Sequence, residues 1–172
     1  MKKLIVPMIV VMGILAGCGE STVEKVEGTG QEQEAKQEQK QKQETFKVGD
    51  TVKFDGLNVT LSKVRESKGD EFMDPQNDKF LVIQLEIENT TDKAQTVSSM
   101  LQMNLVDKEG VSMDYSITGD EKGKLDGEIG PGRKMKGEIA FDVTESEYYE
   151  FIFEDPFTTG QAIWKINKED IK

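Results

Sequence analysis

The chain has 172 residues, 35% hydrophobic and 32% charged, which makes room for one ordinary domain with appendages and leaves no material for a second core. With no histidine and one cysteine it cannot build a Ser-His-Asp or Cys-His nucleophile, a His- or Cys-based zinc site or an intrachain disulfide. Thirty-three acidic against 22 basic residues give a net charge of −11, the opposite of the basic stripe that nucleic acid requires, so no nucleic-acid partner is expected.

Met1, Lys2 and Lys3 open the chain with positive charge, and residues 4–16 form an uncharged apolar run. The run falls short of the about 20 apolar residues that cross a bilayer and reads as a secretory leader over residues 1–17. Leu15-Ala16-Gly17-Cys18 then matches the bacterial lipobox, so the segment resembles a lipoprotein signal peptide. The resemblance implies cleavage before Cys18 and a diacylglyceryl thioether on its sulfur. Two acyl chains, each buried methylene worth about 0.8 kcal/mol, would hold the protein on the outer face of the cytoplasmic membrane, with the lipid bilayer as its first partner. The mature chain would carry 20 basic and 33 acidic residues, a charge of −13.

Residues 18–45 read as a tether. Residues 31–43 contain only Gln, Glu, Lys and one Ala, which can bury no core and form at most a weak helix through pairs such as Glu32 with Lys36. As a random coil, residues 19–45 would span about 26–31 Å.

From Phe46 to the end the pattern is β. Residues 51–54 and 57–61 alternate apolar with polar around Asp55-Gly56, a pair that favours a type I′ hairpin. Lys79–Asn89 sets Leu81, Ile83, Leu85 and Ile87 on one face with Phe80 and Val82 opposite, the pattern of a central strand. Leu101, Met103 and Leu105 mark the next strand, and Val111, Met113 and Tyr115 begin another. Residues 119–132, with five glycines and Pro131, read as one long loop. Ile139, Phe141 and Val143 then alternate with Glu138, Ala140 and Asp142; Tyr149, Phe151 and Phe153 form an aromatic stripe expected to be core; Ala162, Trp164 and Ile166 close the series. The expectation is an all-β, antiparallel immunoglobulin-like sandwich of about eight or nine strands over residues 46–172.

Val48-Gly49-Asp50, the strand KFLVIQLEIENTT, the LVDKEG turn, IGPGRKMKGEIAFDV, YEFIFEDPF and the closing IWKI together resemble the domain of unknown function 4352. That family consists of Gram-positive surface lipoproteins with a telokin-like, immunoglobulin-like sandwich, related to a mycobacterial secreted antigen. The resemblance implies the fold, the lipid anchor and the extracytoplasmic address. It implies no activity, no cofactor and no catalytic residue.

Asp70, Glu71, Asp74, Asn77 and Asp78 crowd one segment and could offer hard oxygen ligands to calcium. Asp74, Gln76 and Asp78 sit at the first three ligand places of an EF-hand, but Lys79 stands where its glycine belongs and Leu85 where its glutamate belongs, so a solvated turn is expected. Met100 and Met103 point to opposite faces if both lie on a strand, which favours core packing over soft-metal binding. Contacts with a partner are assigned to two long connections, through Asp70, Glu71, Asp74, Asn77 and Asp78 in one and Gly119, Asp120, Gly123, Asp126 and Gly127 in the other. The function expected is a tethered, non-enzymatic module that binds an envelope protein or small ligand, held off the anionic headgroups by its own charge. The alternative is a carboxylate-dependent enzyme or a calcium-dependent accessory factor of the cell wall.

Overall fold

The computed structural model describes residues 23–25 and 45–172; the leader, Cys18 and the rest of the tether lie outside them. Twelve strands are present among the described residues: β1 (Val23–Lys25), β2 (Thr45–Lys47), β3 (Thr51–Phe54), β4 (Leu57–Ser67), β5 (Lys79–Asn89), β6 (Gln95–Val97), β7 (Met103–Asp107), β8 (Asp114–Ser116), β9 (Gly127–Ile129), β10 (Lys134–Val143), β11 (Tyr148–Glu154) and β12 (Gln161–Asn167). One helical turn, α1 (Ser99–Gln102), precedes β7, and a 3-10 turn spans Lys168–Asp170.

The strands form a six-stranded sheet ordered β1-β3-β4-β5-β10-β8, a four-stranded sheet ordered β2-β12-β11-β7 and a small β6-β9 pair. Phe54 from the first sheet meets Phe153 from the second edge to face at 5.5 Å, so the apolar faces of the two sheets enclose one core. Period-two alternation does this directly. Val59 and Leu61 of β4, Leu81, Ile83, Leu85 and Ile87 of β5, Ile139 and Phe141 of β10, and the Tyr149, Phe151 and Phe153 stripe are all buried.

Trp164 is wholly buried, and its indole Nε1 donates to the Asp50 carbonyl at 3.1 Å. That bond explains the Val48-Gly49-Asp50 opening. The Asp50 carboxylate also accepts from the Lys47 amide, and Gly49 N–H reaches the Leu61 carbonyl, so the turn pins β2, β3 and β4 around the tryptophan. Tyr149 Oη donates to the Thr144 carbonyl at 2.6 Å, the tyrosine corner of immunoglobulin-like sandwiches.

The 55–56 hairpin is as expected: Phe54 pairs with Leu57, and Asp55 and Gly56 have φ of 47° and 81°, both positive as a type I′ turn demands. A Cβ on Gly56 would lie 2.3 Å from Thr91 Cγ2, so glycine is required there twice over.

Five expectations change. Eleven strands, β2 to β12, stand where about eight or nine were expected, because three-residue pairings such as β6-β9 are too short to show a period. The sheets are not wholly antiparallel, since β2 runs parallel to β12. Leu101 is not on a strand: the Leu101 and Gln102 amides turn back to the Ser98 carbonyl, leaving Met100 and Leu101 exposed and Met103 buried at the start of β7. The further strand is shorter than its apolar spacing implied, with Val111 exposed before β8 begins. Residues 119–132 are not one loop, for they contain β9 and a bridge from Gly123 to Gly137 of β10. In addition β1, inside the stretch read as tether, pairs antiparallel with β3, Val23 opposite Phe54 and Lys25 opposite Val52.

Candidate functional site

Register fixes two ends. The turns 55–56, 90–94, 130–133 and 155–160 gather at one, joined by Thr90 N–H to the Gly56 carbonyl, Gly132 N–H to the Asn89 carbonyl and Thr158 Oγ1 to Asp55 Oδ2. Segments 68–78, 108–113, 144–147 and 168–172 gather at the other, where Asp78 N–H meets the Val143 carbonyl and Lys168 meets Glu145.

At the second end the 68–78 segment bridges β4 to β5, and most of its polar atoms serve to shape it. Asp142 on β10 is 5% exposed, and its carboxylate accepts the Gln76 and Asn77 amides at 2.6 and 3.0 Å. Asp78 accepts from the Glu145 amide, and Asp70 closes a local turn by accepting from the Phe72 amide. Asp74 and Glu71 point outward and are exposed. Among the described residues no three His, Cys, Asp or Glu side chains are grouped to hold a metal ion. Two apolar side chains are exposed beside them: Phe72 is 81% exposed and Met73 is 43% exposed, between Asp70, Glu71 and Asp74.

The structure brings the two expected contact segments together at a single point. A Cβ on Gly119 would lie 2.5 Å from Asp70 Oδ2, so only glycine lets the 117–126 stretch pass the carboxylate. Beyond that point Asp120 accepts from Arg65 Nη1 at 2.9 Å, Ser67 Oγ at 3.1 Å and Thr118 Oγ1 at 2.5 Å, while Arg65 Nη2 also reaches Glu138 at 2.9 Å. Burial alone would weaken both charges of the pair. The mutual hydrogen bonds outweigh it, holding the Asp120 carboxyl below its ordinary range and the Arg65 guanidinium above its own. Asp126 is likewise engaged, by the amide and hydroxyl of Ser99. Gly127 opens β9, and Gly123 lies against β10. Asp120 therefore fastens the segment to β4, Gly123 to β10, Asp126 to Ser99 and Gly127 to β6, and the four leave little to offer a ligand.

Beside them is a recess of about 410 Å³ walled by Tyr115, Ile117, Ser99, Leu125, Glu121 and Glu138. Its carboxylates are already occupied, Glu121 by the Thr118 and Gly119 amides and Glu138 by Arg65 and the Lys122 amide.

A second charged group sits at the same end. Lys79 bridges Glu66 at 2.6 Å and Glu145 at 2.8 Å, and Lys168 also meets Glu145 at 2.8 Å. Burial opposes the Lys79 charge, but the Glu145 and Glu66 bonds push its pKa up to about 12. Glu145, bonded first by Lys168 and then by Lys79, is held down to about 2.

Phe72, Phe157 and the Arg65-Glu138 pair escape a reading by periodicity. Phe72-Met73 is an apolar pair inside an acidic stretch and Phe157 follows an Asp-Pro turn; those isolated positions are their signal, since neither belongs to a repeat that could bury it.

These features define an immunoglobulin-like β-sandwich. The chain belongs to the family Domain of unknown function (DUF4352), whose model matches residues 46–163. It is similar to the Uncharacterized protein YxkC of Bacillus subtilis (strain 168), 28% identical over 118 residues, which are 60% of this chain and 66% of that one, a little under two thirds of the relative. Among solved structures it resembles the yjhA protein from Bacillus subtilis, with TM-score 0.57 and 18% identity over 72% of this chain and 100% of that one. It also resembles ycdA of Bacillus subtilis subsp. subtilis str. 168, described as a candidate lipoprotein, with TM-score 0.58 and 19% identity over 67% of this chain and 38% of that one. At these identities the two structures share the fold.

Proposed function

We propose that the protein is anchored through acylated Cys18 on the outer face of the cytoplasmic membrane and acts there, without catalysis, as a binding module for an envelope protein or small ligand. The lipobox supports the anchor, and the description of the ycdA neighbour as a candidate lipoprotein agrees with it. The observation that carries the binding role is Phe72, 81% exposed on a loop whose backbone is fastened by buried Asp142. Holding an aromatic ring in water on a fixed frame gains the fold nothing, whereas a docked partner would bury it. Exposed Glu71 and Asp74 beside the ring select a partner with an apolar pocket edged by neutral or basic groups.

The test is capture from intact cells with the full chain and with Phe72→Ser. The account expects capture to be lost in the variant while its unfolding transition is unchanged. Undiminished capture, or hydrolysis of a wall polymer by the purified protein, would overturn it.

A further inference from the structure

The ends of the sandwich differ in charge and in their distance from the anchor. Val23 opens β1 opposite Phe54, beside the 55–56 hairpin, so the chain enters at that end. Five Cα steps separate Cys18 from Val23, and at about 3.3–3.6 Å per residue they reach at most about 18 Å. The spacer is therefore far shorter than the whole 19–45 stretch would provide. β2 enters from the same end, Thr45 lying opposite Ile163 and Lys47 opposite Lys165. The opposite end is displaced by the length of β4, eleven residues whose ten steps span about 33 Å at 3.3 Å per residue.

Charge follows the same axis. The turns 55–56, 90–94, 130–133 and 155–160 hold Lys93 and Arg133 against Asp55, Asp92 and Asp155, a net −1. Segments 68–78, 108–113, 144–147 and 168–172 hold four basic and nine acidic residues, a net −5. An anionic bilayer repels the second set strongly if it comes within a Debye length, about 8–10 Å, and repels the first set little. The excess charge thus orients the domain more than it lifts it away.

At the nearly neutral end one apolar side chain stands out. Phe157 is 90% exposed, on a turn closed by Asp155, whose carboxylate accepts the Phe157 amide at 2.8 Å and whose carbonyl accepts the Thr158 amide. Thr158 in turn bonds Asp55 beside the chain's point of entry.

We infer that the 55–56, 90–94, 130–133 and 155–160 turns form a lipid-facing surface, with Phe157 inserted into the headgroup and acyl boundary of the membrane that carries the Cys18 anchor. This rests on the lipoprotein reading. The anchor supplies proximity, the near-neutral turns allow contact and the phenyl ring gains by leaving water. The 68–78 loop with Phe72 then faces away from the bilayer, toward the envelope.

Acylation would consume the chain's one thiol, so Phe157→Cys and, separately, Phe72→Cys each introduce a single reactive cysteine at an exposed position. Each full-length variant, produced in cells that acylate it and reconstituted in vesicles of phosphatidylglycerol and phosphatidylethanolamine, is labelled with the same fluorophore and exposed to lipids spin-labelled at shallow depth. The expected result is strong quenching at position 157 and none at position 72. Acylated protein with no quenching at 157, or equal quenching at both positions, overturns the orientation alone. Protein lacking fatty acid at Cys18 overturns the anchor and the orientation together.

Discussion

The two ends of the sandwich are built to the same structural standard and differ in what they present. Each is clamped by one buried polar side chain. Asn89, wholly buried, donates to the Lys93 and Ile129 carbonyls and accepts from the Thr91 amide and hydroxyl at one end, while Asp142 holds the Gln76 and Asn77 amides at the other. Each also exposes one phenylalanine, Phe157 on the turn closed by Asp155 and Phe72 on the loop held by Asp142. One end is nearly neutral and lies where the chain enters; the other is acidic and lies a strand's length away. A core that depends on neither end leaves both free to specialise, and the roles proposed above give one to the membrane and the other to a partner.

The largest effect expected is on the anchor: Cys18→Ser should abolish fatty-acid labelling and leave uncleaved precursor, and a labelled variant would remove the membrane from the comparison. Next, the ends should separate cleanly from the core. Trp164→Ala, which empties a wholly buried site and removes the indole hydrogen bond to the Asp50 carbonyl, should cost about 3–5 kcal/mol in urea unfolding. Phe72→Ala and Phe157→Ala should each lie within about 0.5 kcal/mol of the parent. A large cost at either would mean that its ring is structural.

The clamps sharpen the comparison further. Asn89→Ala and Asp142→Ala should each cost about 1–3 kcal/mol, through amides and carbonyls left without partners. Hydrogen exchange should localise the loosening, at 90–93 for the first and at 76–77 for the second. Loosening at both ends from either change would show that the ends are coupled.

Acid gives the smallest effect. Because the folded pKa of Glu145 is about 2, below its unfolded value, its contribution is complete above the ordinary carboxylate range and fades as pH falls from about 4.5 toward 2. Glu145 is half exposed, so the loss should stay below about 1 kcal/mol after solvent screening. Glu145→Gln should remove that part of the pH dependence, and an unchanged acid limb would assign it elsewhere.

The sequence made the long strands legible because burial on one face forces period two, as Lys79–Asn89 and the Tyr149, Phe151 and Phe153 stripe show. Asp55-Gly56 was equally plain, since few residues tolerate two positive φ angles in succession. The pieces that stayed hidden are held by distant partners. β9 exists through pairing with β6, α1 through a carbonyl and the Asp126 carboxylate, and β1 through the edge of β3. Of the expected contact residues, the acidic ones were visible by composition, yet most turn out to tie the fold together. The exposed rings of Phe72 and Phe157 belong to no repeat, and an isolated apolar residue has no period to announce it.

Photo-crosslinking in intact cells tests the division of labour most directly. A photoreactive residue placed at position 72, and in a second strain at position 157, is activated with the full-length anchored protein in place. The account predicts protein adducts from 72 and lipid adducts from 157. Lipid adducts from 72, or the same protein captured from both positions, would contradict it.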